Sequence, residues 1–169
     1  MKKILRLLGF LGMISALAGL SLGFVNGLVE PVIAENSRKA EEISLHAIFP
    51  DTQFQTIPYS DPDGIVEAVF HAEGKGYVVK THAIGFNSST EIVLLIGFDE
   101  DGNTVAMKPL QQQETNGFGS RNFQEENIEK LYLHKSMGDD IELLSGATFT
   151  SKAIRTMFEA ARAAVKEMP

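Results

Sequence analysis

Ser145-Gly146-Ala147-Thr148-Phe149-Thr150-Ser151, running straight into the helix-patterned residues 152–168, concentrates small residues and hydroxyls as no other stretch of this 169-residue chain does. Gly146 and Ala147 let backbone come close to a ligand. Thr148, Thr150 and Ser151 place three hydroxyls just before a helix whose first N–H groups have no partner within it. A helix N-terminus carries about half a positive charge, so an anionic group beside Thr148 would be held without any Lys or Arg. The same residues also suit an ordinary helix start, with Thr150 or Ser151 as an N-cap contributing about 1 kcal/mol and Gly146 ending an extended segment. On the residues alone both readings stand. Further on, Ile154, Met157, Phe158, Ala161 and Val165 recur at helical spacing. That stripe predicts core contact, which fixes the helix in place.

Working back from this stretch, residues 65–71, 76–83, 92–98 and 104–110 have strand character. The third is apolar almost throughout, as a strand covered on both faces would be. Asp99-Glu100-Asp101-Gly102-Asn103 reads as a turn, which makes the third and fourth strands an antiparallel hairpin. Glu114-Thr115-Asn116-Gly117-Phe118-Gly119-Ser120 follows, and its two glycines mark a loop that backbone or ligand can approach closely. It leads into a helix-like segment at 122–131. Asn87-Ser88-Ser89 fits a glycosylation acceptor by pattern and is taken as a loop.

At the N-terminus, Lys2, Lys3 and Arg6 precede an uncharged run at 7–29, longer than the roughly 20 apolar residues that cross a bilayer. A secretory signal peptide competes with this reading. Its apolar region is usually shorter, about 7–15 residues, and Val32-Ile33-Ala34 is a poor cleavage site, so a retained anchor is favoured. Basic residues before the span and Glu30 and Glu35 after it place the N-terminus in the cytoplasm and the bulk of the chain outside. Ser15, Gly19, Gly23 and Gly27 recur every four residues; such a ridge admits a second helix, although glycine is common in spanning helices generally. From 34 to 49, Ala40, Ile43, Ala47 and Ile48 follow the 3.6 period and predict an amphipathic membrane-proximal helix, with Pro31 kinking the chain before it and Pro50 and Asp51 ending it.

A net charge of -7 argues against nucleic acid as a partner, and the lack of cysteine removes disulfides, cysteine-held iron–sulfur clusters and a thiol nucleophile. Redox chemistry would then need an organic cofactor or a metal held by other residues. His46, His71, His82 and His134 lack ligand spacing, so no metal site is expected. There is no Gly-x-Ser-x-Gly, no Gly-x-x-x-x-Gly-Lys loop and no paired-glycine dinucleotide fingerprint, which leaves hydrolase and nucleotide-dependent chemistry poorly supported.

Ser145-Gly146-Ala147-Thr148 resembles the flavinylation motif of the FMN-binding domain family, which is shared by flavin-carrying components of the Rnf electron-transport complex and of the sodium-translocating NADH:quinone oxidoreductase. The family pattern places Asp three residues before the Ser, where this chain has Glu142. Glu114-Thr115-Asn116-Gly117-Phe118-Gly119 is similar to the family's Glu-Thr-Pro-Gly-Leu-Gly loop, which lies against the flavin ring, with Asn116 for Pro and Phe118 for Leu. The resemblance implies FMN joined through its phosphate to Thr148 by a flavin transferase, with Ser145, Gly146, Ala147, Thr150 and Ser151 around the attachment. It also implies that Glu114, Thr115, Gly117, Phe118 and Gly119 lie along the ring or ribityl chain.

It further implies an α+β architecture: one transmembrane helix, then a single extracytoplasmic FMN-binding domain of mainly antiparallel sheet with flanking helices. The expected divisions are 1–33 for the basic start and anchor, 34–50 for the membrane-proximal helix and 51–169 for the domain. The expected role is that of a redox component of a membrane-bound, ion-translocating ferredoxin:NAD oxidoreductase of the Rnf type, in the cytoplasmic membrane with other integral-membrane proteins of the complex as partners. Two alternatives remain: a stand-alone anchored flavoprotein carrying electrons, and a tethered assembly module with no redox role.

Overall fold

The computed structural model describes residues 2–168. Met1 and Pro169, the outer ends of the expected divisions, lie outside the described residues. The chain separates into two units, Met1–Ala40 and Glu41–Pro169.

The first unit is the greater part of helix α1 (Lys2–Ile48). It contains an 18-residue window of mean hydropathy 2.0, none of it buried, and this makes α1 a candidate membrane span. A core helix of a water-soluble protein would have covered such residues; Leu20 and Phe24 are instead 73% and 70% exposed. Pro31, expected as a kink, lies inside the helix without ending it. Its ring leaves the Gly27 carbonyl without the usual N–H donor, a loss that continuing the helix on both sides tolerates.

The second unit is built on five antiparallel strands in the order β1 (Phe54–Ile57), β2 (Val66–Ala72), β3 (Gly76–Ala83), β4 (Ile92–Phe98) and β5 (Thr104–Gln111). Every neighbour in the sheet is also a neighbour in sequence, so short turns suffice to connect them. The 99–103 turn closes the β4–β5 hairpin as expected, with Asp99 Oδ1 accepting from Asn103 N–H at 2.7 Å and Gly102 at φ +82°. The sheet is thus the α+β arrangement that the strand pattern predicts, with one strand, β1, that the pattern did not reveal.

Both faces of the sheet are covered. Ile92, Leu94, Ile96 and Phe98 of β4, Val79 of β3 and Val69 of β2 meet Ile154, Met157, Phe158 and Ala161 of α3 (Thr148–Lys166). Leu95, Val78, Phe70 and Ala72 point the other way, onto Leu45 and Phe49 at the C-terminal end of α1. That explains why β4 is apolar at nearly every position while its flanking strands alternate. Gly97 belongs to the second face: a Cβ there would stand 2.6 Å from Ile48 Cγ2, so the glycine lets the helix end seat closely. Lys80 fixes the same end, its Nζ 2.6 Å from Glu41 and 2.8 Å from Glu67. Although burial pushes its pKa down, these two carboxylates more than compensate and hold it above the ordinary lysine value.

Between β5 and α3 the chain forms a 3-10 turn, Gly119–Phe123, then α2 (Glu125–Leu131), then an irregular passage to 147. The helix-like 122–131 segment is therefore two elements. These connections bring the sequence-marked loop and the α3 N-terminus together.

Candidate functional site

Helix α3 starts four residues before the helix-patterned run at 152–168. Thr148 is its first residue and Ala147 its cap, with no side-chain hydrogen bond capping the end. Thr148, Thr150 and Ser151 therefore occupy the first turn, and neither Thr150 nor Ser151 is the N-cap. The first N–H to close the helix is that of Ser151, 2.9 Å from the Ala147 carbonyl. The N–H groups of Thr148, Phe149 and Thr150 accordingly have no acceptor within the helix. Just upstream, the Ala147 N–H donates to the Leu144 carbonyl at 3.0 Å across a tight turn. Gly146 adopts φ +82° there, a conformation that disfavours any side chain.

The three hydroxyls part company. Thr148 is exposed, whereas Thr150 and Ser151 are 1% and 0% exposed and their hydroxyls are engaged inside the protein. Thr150 Oγ1 donates to Glu114 Oε2 at 2.5 Å. Ser151 Oγ accepts from the Leu144 N–H at 3.1 Å and lies 2.9 Å from Asn122 Oδ1. Asn122 is completely buried: its Oδ1 also accepts from Tyr132 OH at 2.6 Å and its Nδ2 donates to the Gly119 carbonyl at 3.0 Å. Burial raises the Tyr132 pKa far above the phenol range, so the hydroxyl keeps its proton and stays a donor.

Glu114 plays the corresponding part on the loop side. Its carboxylate, 7% exposed, takes the Thr150 hydroxyl on one oxygen and the Asn87 N–H, at 3.1 Å, on the other. One side chain thus joins the β3–β4 connection, the loop after β5 and the first turn of α3. Two glycines make room for it. A Cβ on Gly119 would press into Glu114 Oε2 and stand 2.6 Å from Thr150 Oγ1, and a Cβ on Gly85 would press into Glu114 Oε1. Gly117, at φ +76°, turns the loop, and its N–H donates to Ser120 Oγ at 3.1 Å.

What these bonds leave open is a cavity of about 300 Å³ lined by the backbone of residues 146–150, Thr115, Gly119 and three phenylalanines, Phe86, Phe118 and Phe149. The three rings are 63%, 60% and 70% exposed, unusual for aromatic side chains with a core available. Phe86 and Phe149 face each other with centroids 6.1 Å apart at 50°. A large flat apolar ring fits such walls, and an anionic group fits beside the free N–H groups of the first turn of α3 and Thr148, which also lines the cavity. FMN has these two parts, a tricyclic ring and a phosphate, so the residues present suit it.

Of the residues singled out in the sequence, Gly146, Ala147, Thr148, Thr150, Thr115, Phe118 and Gly119 line the cavity. Glu114 and Ser151 stand behind it as structural bonds, Gly117 shapes the loop, and Ser145 is exposed beside the turn without lining the cavity. Phe86, Phe149, Asn122 and Tyr132 were not foreseen. Phe149 lies within the quoted motif, but nothing local shows that its ring faces outward, and Phe86 follows a strand in a connection with no pattern to mark it.

The chain matches none of the curated proteins compared with it. A family model does match: residues 85–163, from the glycine that accommodates Glu114 to the last turns of α3, align with the FMN-binding domain, and this supports the FMN-binding family for the segment that builds every wall of the cavity.

Proposed function

We propose that this protein is a membrane-anchored electron carrier whose FMN is joined through its phosphate to Thr148 Oγ1. The observation that carries this reading is the placement of an exposed Thr148, first in α3, in the lining of a cavity walled by three exposed phenylalanines. Support also comes from the FMN-binding domain match across those residues. Bound FMN supplies the redox chemistry in its ring. The chain holds and orients it. Phe86, Phe118 and Phe149 shield the ring from water, the α3 N–H groups face the phosphate charge, and Thr148 offers one hydroxyl for a phosphoester. Attachment by a flavin transferase would form the Thr148 Oγ1–phosphorus bond and break the phosphoanhydride bond of a flavin dinucleotide donor, with the nucleoside monophosphate as leaving group and the Thr148 proton passing to solvent. Thr148 then holds the cofactor at high effective concentration and takes no part in electron transfer.

The apolar α1 supports a single-pass anchor, and the basic residues in its first turns, Lys2, Lys3 and Arg6, support a cytoplasmic N-terminus with the flavin domain outside. We assign the protein to an Rnf-type ion-translocating complex as its flavin-carrying component, with a stand-alone anchored flavoprotein as the second reading. The test is direct. Full-length protein taken from its native membrane should carry the mass of FMN on the peptide containing Thr148 and give a fluorescent band after denaturation. A Thr148→Val variant that kept the band would refute the attachment site. An unmodified native peptide would favour a tethered module without redox function, and native material free of integral-membrane partners would favour the stand-alone carrier.

A further inference from the structure

The motif at the start of α3 suggests an anion held by backbone alone, but the fold brings Arg121 to the same place and the helical spacing of α3 adds Lys152. Arg121, in the Gly119–Phe123 turn, reaches toward the 144–147 turn: a Cβ on Gly146 would stand 3.9 Å from its Nη1. Its backbone is fully used, the N–H by the Phe118 carbonyl and the carbonyl by Asn127 and Gln124. Its guanidinium makes no hydrogen bond or ion pair among the described residues. A half-buried cation left without a partner, in a protein of net charge -7 with acidic side chains available, is an uncommon arrangement. The second cation is Lys152, four residues after Thr148 and therefore on the same face of α3. Helical side chains lean toward the N-terminus, so the exposed Lys152 side chain can extend back over the first turn. The cavity lining itself contains no charged side chain.

We propose that Arg121 and Lys152 clamp the phosphate group at Thr148 from two sides. They are positioning residues: they neutralise the phosphate charge beside the free N–H groups of α3 and fix the end of the cofactor from which the ring is aimed into the cavity. The proposal rests on the cavity being the flavin site, and its test separates the two claims.

The full-length chain, produced in detergent without a flavin transferase so that Thr148 is unmodified, is titrated with FMN and with riboflavin, which differ only by the phosphate. Arg121→Gln and Lys152→Gln should each weaken FMN binding about three- to tenfold at low salt, with riboflavin affinity unchanged within about twofold. Arg121→Lys should recover part of the loss, and raising the ionic strength should shrink the difference between FMN and riboflavin in the unsubstituted chain. Since neither cationic head is bonded in the empty protein, the thermal melts of the Gln variants should match the parent. If both flavins bind and the Gln variants leave the FMN-to-riboflavin ratio unchanged, the clamp is wrong while the cavity reading survives. If neither flavin binds the unsubstituted chain, the cavity reading falls and the clamp with it.

Discussion

Thr150→Val replaces a hydroxyl by a methyl of nearly the same size and so removes one interaction without opening a cavity. The hydroxyl lost is the one that donates to Glu114 Oε2 at 2.5 Å, between residues 1% and 7% exposed. The carboxylate oxygen left behind is largely shielded from water. A hydrogen bond to a charged group contributes about 1.5–3 kcal/mol, and an acceptor stranded in the interior costs a comparable amount to desolvate. We expect Thr150→Val to destabilise the 41–168 unit by about 2 kcal/mol, a fall in Tm of roughly 5–10 °C for a domain of this size. The chain has no tryptophan, and Tyr132 is buried and stacked on Phe158 with centroids 5.5 Å apart, so near-ultraviolet circular dichroism reports the melting of this region. Glu114→Gln supplies the second arm of a double-mutant cycle. Because Glu114 and Thr150 share one bond, the two substitutions together should cost less than the sum of each alone, with a coupling of about 1 kcal/mol or more. Purely additive losses, or a Thr150→Val melt within about 1 °C of the parent, would show that the carboxylate does not depend on this hydroxyl.

Two further outcomes follow from the same geometry. Gly119→Ala drives a methyl into Glu114 Oε2 and Thr150 Oγ1; it should cost about 1–3 kcal/mol and lower flavin loading in the same preparations, as measured by absorbance per mole of protein. Asp61 provides a pH dependence: burial pushes its carboxyl up, but hydrogen bonds from the N–H groups of Val66, Asp63 and Ile65, with His82 nearby, prevail and hold it below the usual carboxylate range. Since the folded value lies below the unfolded one, this stabilisation is complete above about pH 4 and is lost as the pH falls through the folded value. The melting difference between Asp61→Ala and the parent should therefore be constant near neutrality and narrow below about pH 4.

The parts of the fold that could be read from the sequence are those whose signal is periodic. β3 and β4 have the expected bounds, and α3 carries the expected apolar stripe, because both patterns record burial against a large neighbouring surface. β1 could not be read this way. Its four residues have an intermediate–exposed–exposed–intermediate pattern, and it is a strand through its pairing with β2, from Phe54 opposite Ala72 to Ile57 opposite Val69. At the cavity, the small residues and glycines were legible because their backbone roles are local. The fates of the hydroxyls were not: Thr150 and Ser151 read as cap residues because such hydroxyls usually bond to nearby backbone, whereas Thr150 bonds Glu114, 36 positions away, and Ser151, besides Leu144 and Ala147, reaches Asn122, 29 positions away. Arg121 escaped notice for the same reason, since only the fold brings it to Gly146.

The pins formed by Glu114 and Asn122 are complete without any guest molecule. Each buried atom they hold is satisfied by protein alone, and the acceptor hydroxyl of Thr148 lies on the outside. A prosthetic group attached there would be added to a finished object. Maturation would then be a late decoration of a stable body, and a cell short of vitamin would accumulate intact, colourless copies ready to be completed.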